Sequence, residues 1–395
     1  ASLFGGDGLD VIVSDVSTNQ VYALRPYAPE LGEITLGTVT NPGRVAVADL
    51  DQDGALDVVV AALGQLAPTN DPVGSVEWLR RSGPESFEKE VLVDGIGRVA
   101  DLQAVDLQGN NRIDLLVAVF GWMENGSLLW LENTGPTGGR PSFVQHVLDP
   151  RSGFTDVRVA DLDRDGQLDV VALIAQEFQQ VMVYWGEEEG YRAEILYQAP
   201  NPDWGFTGLE VVDFTGNGLG DLIVTNGDNL DLTVAKPYHG VALLENLGEG
   251  AFEYRHLTSM YGAHKAVPVD LTGEGRLGLV VSAYLPPSVS SRAPAPAEAL
   301  LWLERVGPSQ LVRRVLQSEG VHHMAMAAGD ATGDGQPELA VGFMDLGVVD
   351  PGQSHPGEPF TSFVTLWRNL GMQGPATRTE DVEAIDWLNP RRAPP

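Results

Sequence analysis

Short apolar runs separated by acidic, glycine-containing loops recur along almost the whole chain, and every unit has the same internal order. A short strand such as Arg44–Ala48 or Val157–Ala160 leads into the loop. An apolar run such as Leu56–Ala61 or Leu168–Ala172 follows it. A third segment carries a large aromatic residue in most copies, as in Val76–Leu79, Leu128–Leu131, Val181–Tyr184, Leu300–Leu303 and Val364–Trp367. The fourth alternates polar and apolar positions, as in Phe87–Val91 and Phe252–His256. Continuous β-branched runs predict strands buried on both faces, and alternation predicts a half-solvated strand. Helical periodicity is hard to find anywhere. The loops begin at residues 49, 106, 161, 213, 270 and 330, so successive copies lie 52 to 60 residues apart. That is the spacing of propeller blades with enlarged loops. With an initial unit formed by Leu9–Val13 and Gln20–Ala23, the pattern predicts an all-β, seven-bladed β-propeller of four-stranded antiparallel blades.

A single propeller is expected over residues 1–388, with a disordered Pro/Arg-rich tail at 389–395. Closure of the ring is left open by the sequence. The first blade has no strand ahead of its degenerate motif, Gly6–Asp10, within these residues. The segment Val382–Asp386 resembles the strands that precede the acidic loops, yet its spacing from Trp367 equally suits the outer strand of the last blade.

The loops bring in the chemistry. In the two clearest copies, aspartates stand at positions 1, 3, 5 and 9 and glycine at position 6. These are Asp49, Asp51, Asp53 and Asp57, and again Asp161, Asp163, Asp165 and Asp169. This is the opening of an EF-hand-like calcium loop, with glycine allowing the sharp turn. Four carboxylates this close repel one another, each pair by about 1 kcal/mol in water and about 4 kcal/mol at a surface-like dielectric. A cation removes that penalty, and all-oxygen ligation suits calcium better than zinc or copper. Three copies keep the spacing with less charge: Asp106, Asn110 and Asp114 (with Gln108 at position 3); Asp213, Asn217 and Asp221 (with Thr215); and Asp330, Asp334 and Glu338 (with Thr332). In the copy that starts at Asp270, position 9 is Gly278, so a carboxylate is missing. Without an ion, such loops serve simply as tight turns.

Composition narrows the partners. Acidic residues outnumber basic ones 55 to 24, for a formal charge of −31, and the lysines are Lys89, Lys236 and Lys265 alone. Such a chain is not expected to neutralise nucleic-acid phosphates or to bind anionic membranes. It has no cysteine, which excludes disulfides, zinc–thiolate sites and haem attachment within these residues. No apolar run approaches the roughly 18 residues of a membrane span. The first residue is not methionine and no signal peptide is present, so the chain reads as a mature or trimmed product. The acidic balance and the calcium loops lead to the expectation of an exported protein: periplasmic, surface-bound or secreted.

The repeated DxDxDG-x-x-D loop and its apolar strand resemble the FG-GAP/VCBS repeat family, the calcium-loop propellers of integrin α-subunits and many bacterial surface proteins. The resemblance covers nearly the whole chain. It implies several bound calcium ions and a propeller fold; for function it spans adhesins, lectins and lyase scaffolds. Gly121-Trp122, Asn226–Asp228 and Pro237–Gly240 resemble a bacterial subset often joined to a c-type cytochrome module, so such a domain or partner is a further expectation.

Propeller topology puts the acidic loops at one face and the connections between second and third strands, and between blades, at the other. The latter include Leu63–Gly74, Asn226–His239, Leu285–Glu298 and Asp345–Pro359, lengths that are often functional. The same side carries His239, His264, His322, His323 and His355, with Trp122, Trp204, Tyr238, Tyr261, Glu177, Asp228 and Asp231. These residues are the candidate ligand face for a protein or glycan. The bland alternative is that they cap blade ends. No nucleophile elbow or phosphate loop is present. Three functions stay open at this point: an interaction module, an enzyme or redox-partner domain using the histidine-bearing face, and a purely structural or assembly subunit.

Overall fold

The computed structural model describes residues 1–28, 32–137, 140–230, 234–290, 297–318, 320–345, 361–369 and 384–386. Its strands form seven antiparallel sheets, each a simple up-and-down meander in chain order, and these are the blades of a seven-bladed β-propeller. Blade two is representative. Its strands are Pro42–Ala48, Asp57–Ala62, Gly74–Arg81 and Phe87–Ile96. The second strand is buried at every position, whereas the fourth alternates between half-buried and exposed residues. The periodicity in the sequence dictates this gradient. Runs such as Val-Val-Val-Ala-Ala have no polar side to turn to water, so both of their faces must be covered.

The described residues divide into two compact units. Blades one to four lie in the first, Ala1–Gln198 with Ala331–Gly333; blades five to seven lie in the second, Ala199–Asp330 with Asp334–Pro395. Within the first unit, Val59, Val76 and Trp78 of blade two pack against Leu115, Val117 and Leu131 of blade three. Within the second, Ile223, Val241 and Leu243 of blade five pack against Leu279, Val281 and Leu301 of blade six. Each such aliphatic side chain, fully withdrawn from water, contributes roughly 1.5–3 kcal/mol.

The end blades each show three strands among the described residues. The first blade consists of Val11–Asp15, Gln20–Arg25 and Gly32–Thr38; the seventh of His323–Gly329, Glu338–Asp345 and Thr361–Trp367. Ala384–Asp386 takes neither role that the sequence suggested for it. It adds antiparallel to Gln310–Gln317 as a fifth strand of blade six, with Leu311 opposite Ile385. Residues 382–383 and the 389–395 tail lie outside the described residues.

A bulge recurs in the first strand of blades two to seven: one residue is skipped in the ladder of blades three to seven, and in blade two Gly43 and Arg44 stand against Ala61 alone. In blade six the skipped residue is His264, so the bulge turns it away from the regular alternation. Pro287–Ser290 is the one α-helical segment among the described residues, and no helix there is long and apolar enough to cross a membrane.

Candidate metal centre

Each acidic loop joins the first strand of a blade to the second, and all six are built on one hydrogen-bonded frame. The position-1 aspartate accepts a hydrogen bond from the backbone N–H of position 6: Asp49 from Gly54 (2.9 Å), Asp106 from Asn111 (2.6 Å), Asp161 from Gly166 (3.1 Å), Asp213 from Gly218 (2.8 Å), Asp270 from Gly275 (2.6 Å) and Asp330 from Gly335 (2.8 Å). The closure requires a left-handed backbone at position 6, which explains the glycine there; Asn111, at φ 63°, is the substitute that best tolerates it. Position 4 is left-handed as well. Four loops place glycine there, but the two four-aspartate loops hold Gln52 (φ 60°) and Arg164 (φ 63°). Position 2 is the hydrophobic plug of the loop, with Leu50, Leu162 and Phe214 almost fully buried.

Position 9 is a clamp. Asp57, fully buried, accepts from Leu50 N–H at 3.2 Å and from Arg81 N–H at 2.8 Å, tying the loop to the end of the third strand. Asp169 does the same with Leu162 (2.8 Å) and Gly186 (2.9 Å), and Asp221 with Thr215 and Asn246 (both 2.8 Å). Burial pushes the carboxyls of Asp57 and Asp169 up to about 6 despite these donors, and raises those of Asp114 and Asp221 too. The cost of burying an anion outweighs the two backbone hydrogen bonds that each clamp receives.

Among the described residues, two groups of three acidic or imidazole side chains bring ligand atoms within 4.8 Å of one another: Asp49, Asp51 and Asp57, and Asp161, Asp163 and Asp169. One oxygen of Asp49 and one of Asp161, both Oδ1, are buried without a hydrogen-bond partner. A hard cation would satisfy these orphaned acceptors and the unbalanced negative charge together, so the donor set fits calcium. Position 5 makes a local contact. Asp53 accepts from Ala55 N–H at 2.9 Å and Asp165 from Gln167 N–H at 2.7 Å, each through Oδ1, and the three-residue clusters are formed without them.

The weaker copies carry amide or hydroxyl side chains at some of these positions. In the third blade, Asn110 uses its amide within the loop, donating to Gln108 Oε1 at 2.7 Å and accepting from Arg112 N–H at 2.9 Å. Asn217 is engaged in the same way, with Leu219 N–H and Asn246 O. Asp334 accepts from Gln336 N–H at 3.0 Å, and Glu338 is buried. The loop at Asp270 satisfies itself: that aspartate accepts from Thr272, Gly273 and Gly275, and this holds its carboxyl below the usual range even against burial.

Residues of the candidate ligand face occur in both units. In the first, Trp122 is 43% exposed in the turn between Asp114–Val119 and Ser127–Thr137, beside exposed Met123. Glu177 is exposed in the equivalent turn of blade four. In the second, Trp204 and Tyr238 stack in parallel at 5.2 Å, and His239 meets Tyr238 edge-on. His264, Tyr284, His322 and Phe343 form a chain of ring contacts 5.4–6.3 Å apart, with His323 also on Phe343. Asp228 accepts from Leu230 N–H at 2.9 Å, and Tyr261 is partly buried. Asp231 and His355 lie outside the described residues. His239 is buried, its Nδ1 is 3.4 Å from the Asn229 amide and its Nε2 has no partner; burial first, and Lys236 second, push its pKa down to about 3.

Sequence reasoning missed Arg80. It donates to Asp51 Oδ2 at 2.5 Å and to Asp53 Oδ2 at 3.3 Å from the third strand. The signal was present in the register: the residue after the aromatic Trp-Leu pair lies beside position 9.

A profile of the FG-GAP-like repeat matches residues 106–172, the acidic loop of blade three through to the second strand of blade four. No curated protein sequence matches the chain. Among solved structures, the chain is similar to one from a Saccharomyces cerevisiae assembly of Dbp5 bound to Nup159, Gle1, IP6 and ADP, at 11% identity and a TM-score of 0.43 over 91% of this chain and 90% of that one. It is also similar to the Bacillus licheniformis rhamnogalacturonan lyase PL11, at 14% identity and a TM-score of 0.42 over 82% of this chain; the match spans 62% of that enzyme.

Proposed function

We propose that this chain, an FG-GAP-like repeat propeller, is an exported calcium-binding interaction module. Calcium is held by Asp49, Asp51 and Asp57 and by Asp161, Asp163 and Asp169. The convergence of each trio around a buried, unpartnered Asp49 or Asp161 oxygen carries this reading. Bound calcium offsets the cost of keeping the buried clamps Asp57 and Asp169 ionised, and so fastens the first, second and third strands of blades two and four. Recognition of a protein or glycan falls to the opposite loops, where exposed Trp122 and the stacked Trp204–Tyr238 pair offer flat amphipathic surfaces. The acidic, lysine-poor composition supports a calcium-rich setting outside the cytoplasm.

Calorimetric titration of chelator-treated protein with calcium chloride tests the metal assignment. Two equivalents are expected, one of which disappears in Asp161→Asn/Asp163→Asn. A flat titration with magnesium and calcium alike, from protein verified to be metal-free, overturns the assignment.

A further inference from the structure

The reading above treats the two four-aspartate loops alike, and the present inference rests on it. Their neighbours differ. In blade two the ladder pairs Val58 with Leu79, so Arg80 stands beside Asp57 and reaches back over the loop. Its Nε lies 2.5 Å from Asp51 Oδ2 and its Nη2 3.3 Å from Asp53 Oδ2. Under this guanidinium the Asp51 side chain is only 2% exposed. In blade four the ladder pairs Val170 with Tyr184, which puts Trp185 in the same place. Its indole N–H donates to Glu194 at 2.9 Å, on the outer strand. Among the described residues, no lysine or arginine pairs with Asp161, Asp163 or Asp165. Blade seven repeats the first arrangement: Leu339 pairs with Trp367, and the next residue, Arg368, lies 3.6 Å from Asp334 Oδ2.

We propose that Arg80 is a tethered cation that sets the calcium response of the 49–57 loop. It balances the charge of Asp51 and Asp53 when no ion is bound, so the loop keeps its shape without metal. It also competes for the Asp51 oxygen that calcium needs. Among the described residues the loop at 161–169 has no such competitor, and it is the tighter site. The chain therefore answers calcium in two steps: the blade-four loop fills first, and the blade-two loop fills only at concentrations that displace Arg80.

Calcium titrations in the Asp161→Asn/Asp163→Asn background isolate the blade-two loop. Removing one opposing positive charge a few ångströms away in Arg80→Gln is expected to tighten binding by about tenfold or more. Arg80→Lys keeps the charge and remains closer to the parent. A second readout separates this role from a merely structural one. In chelator, Arg80→Gln melts below the parent, and with saturating calcium the difference closes. Circular dichroism of each variant establishes that it is folded before titration. Equal affinities for parent and Arg80→Gln overturn the inference and leave the calcium assignment standing. Absence of binding at both loops, with or without Arg80, overturns the calcium assignment and this inference together.

Discussion

At the scale of single residues, the loops show how one aspartate serves two purposes. The position-9 carboxylates were legible as candidate ligands from spacing alone. Their second task, receiving backbone donors from the loop and from the third strand, was not, because the partner at Arg81 or Gly186 lies 24 or 17 residues away. At positions 3 and 5 alike, one carboxylate oxygen accepts from the N–H two residues on, a local contact that leaves the other oxygen of each aspartate for a different partner. His239 carries the clearest pH signature. Its folded pKa is pushed down to about 3 from 6.5, so between those values the unfolded chain takes up a proton that the folded protein refuses. Stability from this site is intact above about 6.5 and is lost as pH falls towards 3, by at most about 1.4 kcal/mol per pH unit. His239→Gln removes this contribution. Urea melts at pH 7 and pH 4.5, with calcium held constant, should show wild type losing more stability than the variant. Parallel losses would mean that His239 is not kept neutral by its burial.

At the scale of the element, the blade is a meander whose four strands were readable from hydrophobic pattern, because burial on one or both faces leaves a periodic trace. The strand at Ala384–Asp386 left none: three residues pairing with an edge is a tertiary event with no period of its own. The bulge at His264 was equally silent in sequence. Blade six makes the sharpest element-level case. Its position 9 is Gly278, and a Cβ there would meet Leu303 O at 2.6 Å and Trp302 Nε1 at 3.0 Å. The third strand has closed over the space where other blades hold a carboxylate, and Arg305 Nε holds Leu277 O at 2.9 Å. Gly278→Asp should therefore not restore a metal site. It is expected to destabilise the protein by about 1–3 kcal/mol through overpacking and an unpaired buried charge, with no added calcium equivalent. A variant that gained an equivalent of calcium at unchanged stability would show that blade six retains the cavity of its siblings.

At the scale of the whole molecule, charge decides behaviour that no single loop does. The repeat made the propeller legible, and the count of 55 acidic against 24 basic residues made the need for counter-ions legible with it. A formal charge of −31 opposes compaction at long range, and the acidic loops add short-range repulsion wherever their aspartates converge. These two contributions respond differently to solutes. Monovalent salt shortens the screening length from about 30 Å at 0.01 M to about 8 Å at 0.15 M, which weakens the long-range part but hardly touches carboxylates within a few ångströms. Calcium bound at the two clusters, as proposed, would relieve the short-range part first. The melting temperature of metal-free protein should thus rise by several degrees as sodium chloride goes from about 10 mM to about 150 mM. Calcium at low salt should give a further rise that salt alone does not reproduce. Differential scanning calorimetry over the four combinations of salt and calcium separates the two. If sodium chloride alone brings metal-free protein to the calcium-loaded melting temperature, general screening is sufficient and the acidic clusters need no specific ion.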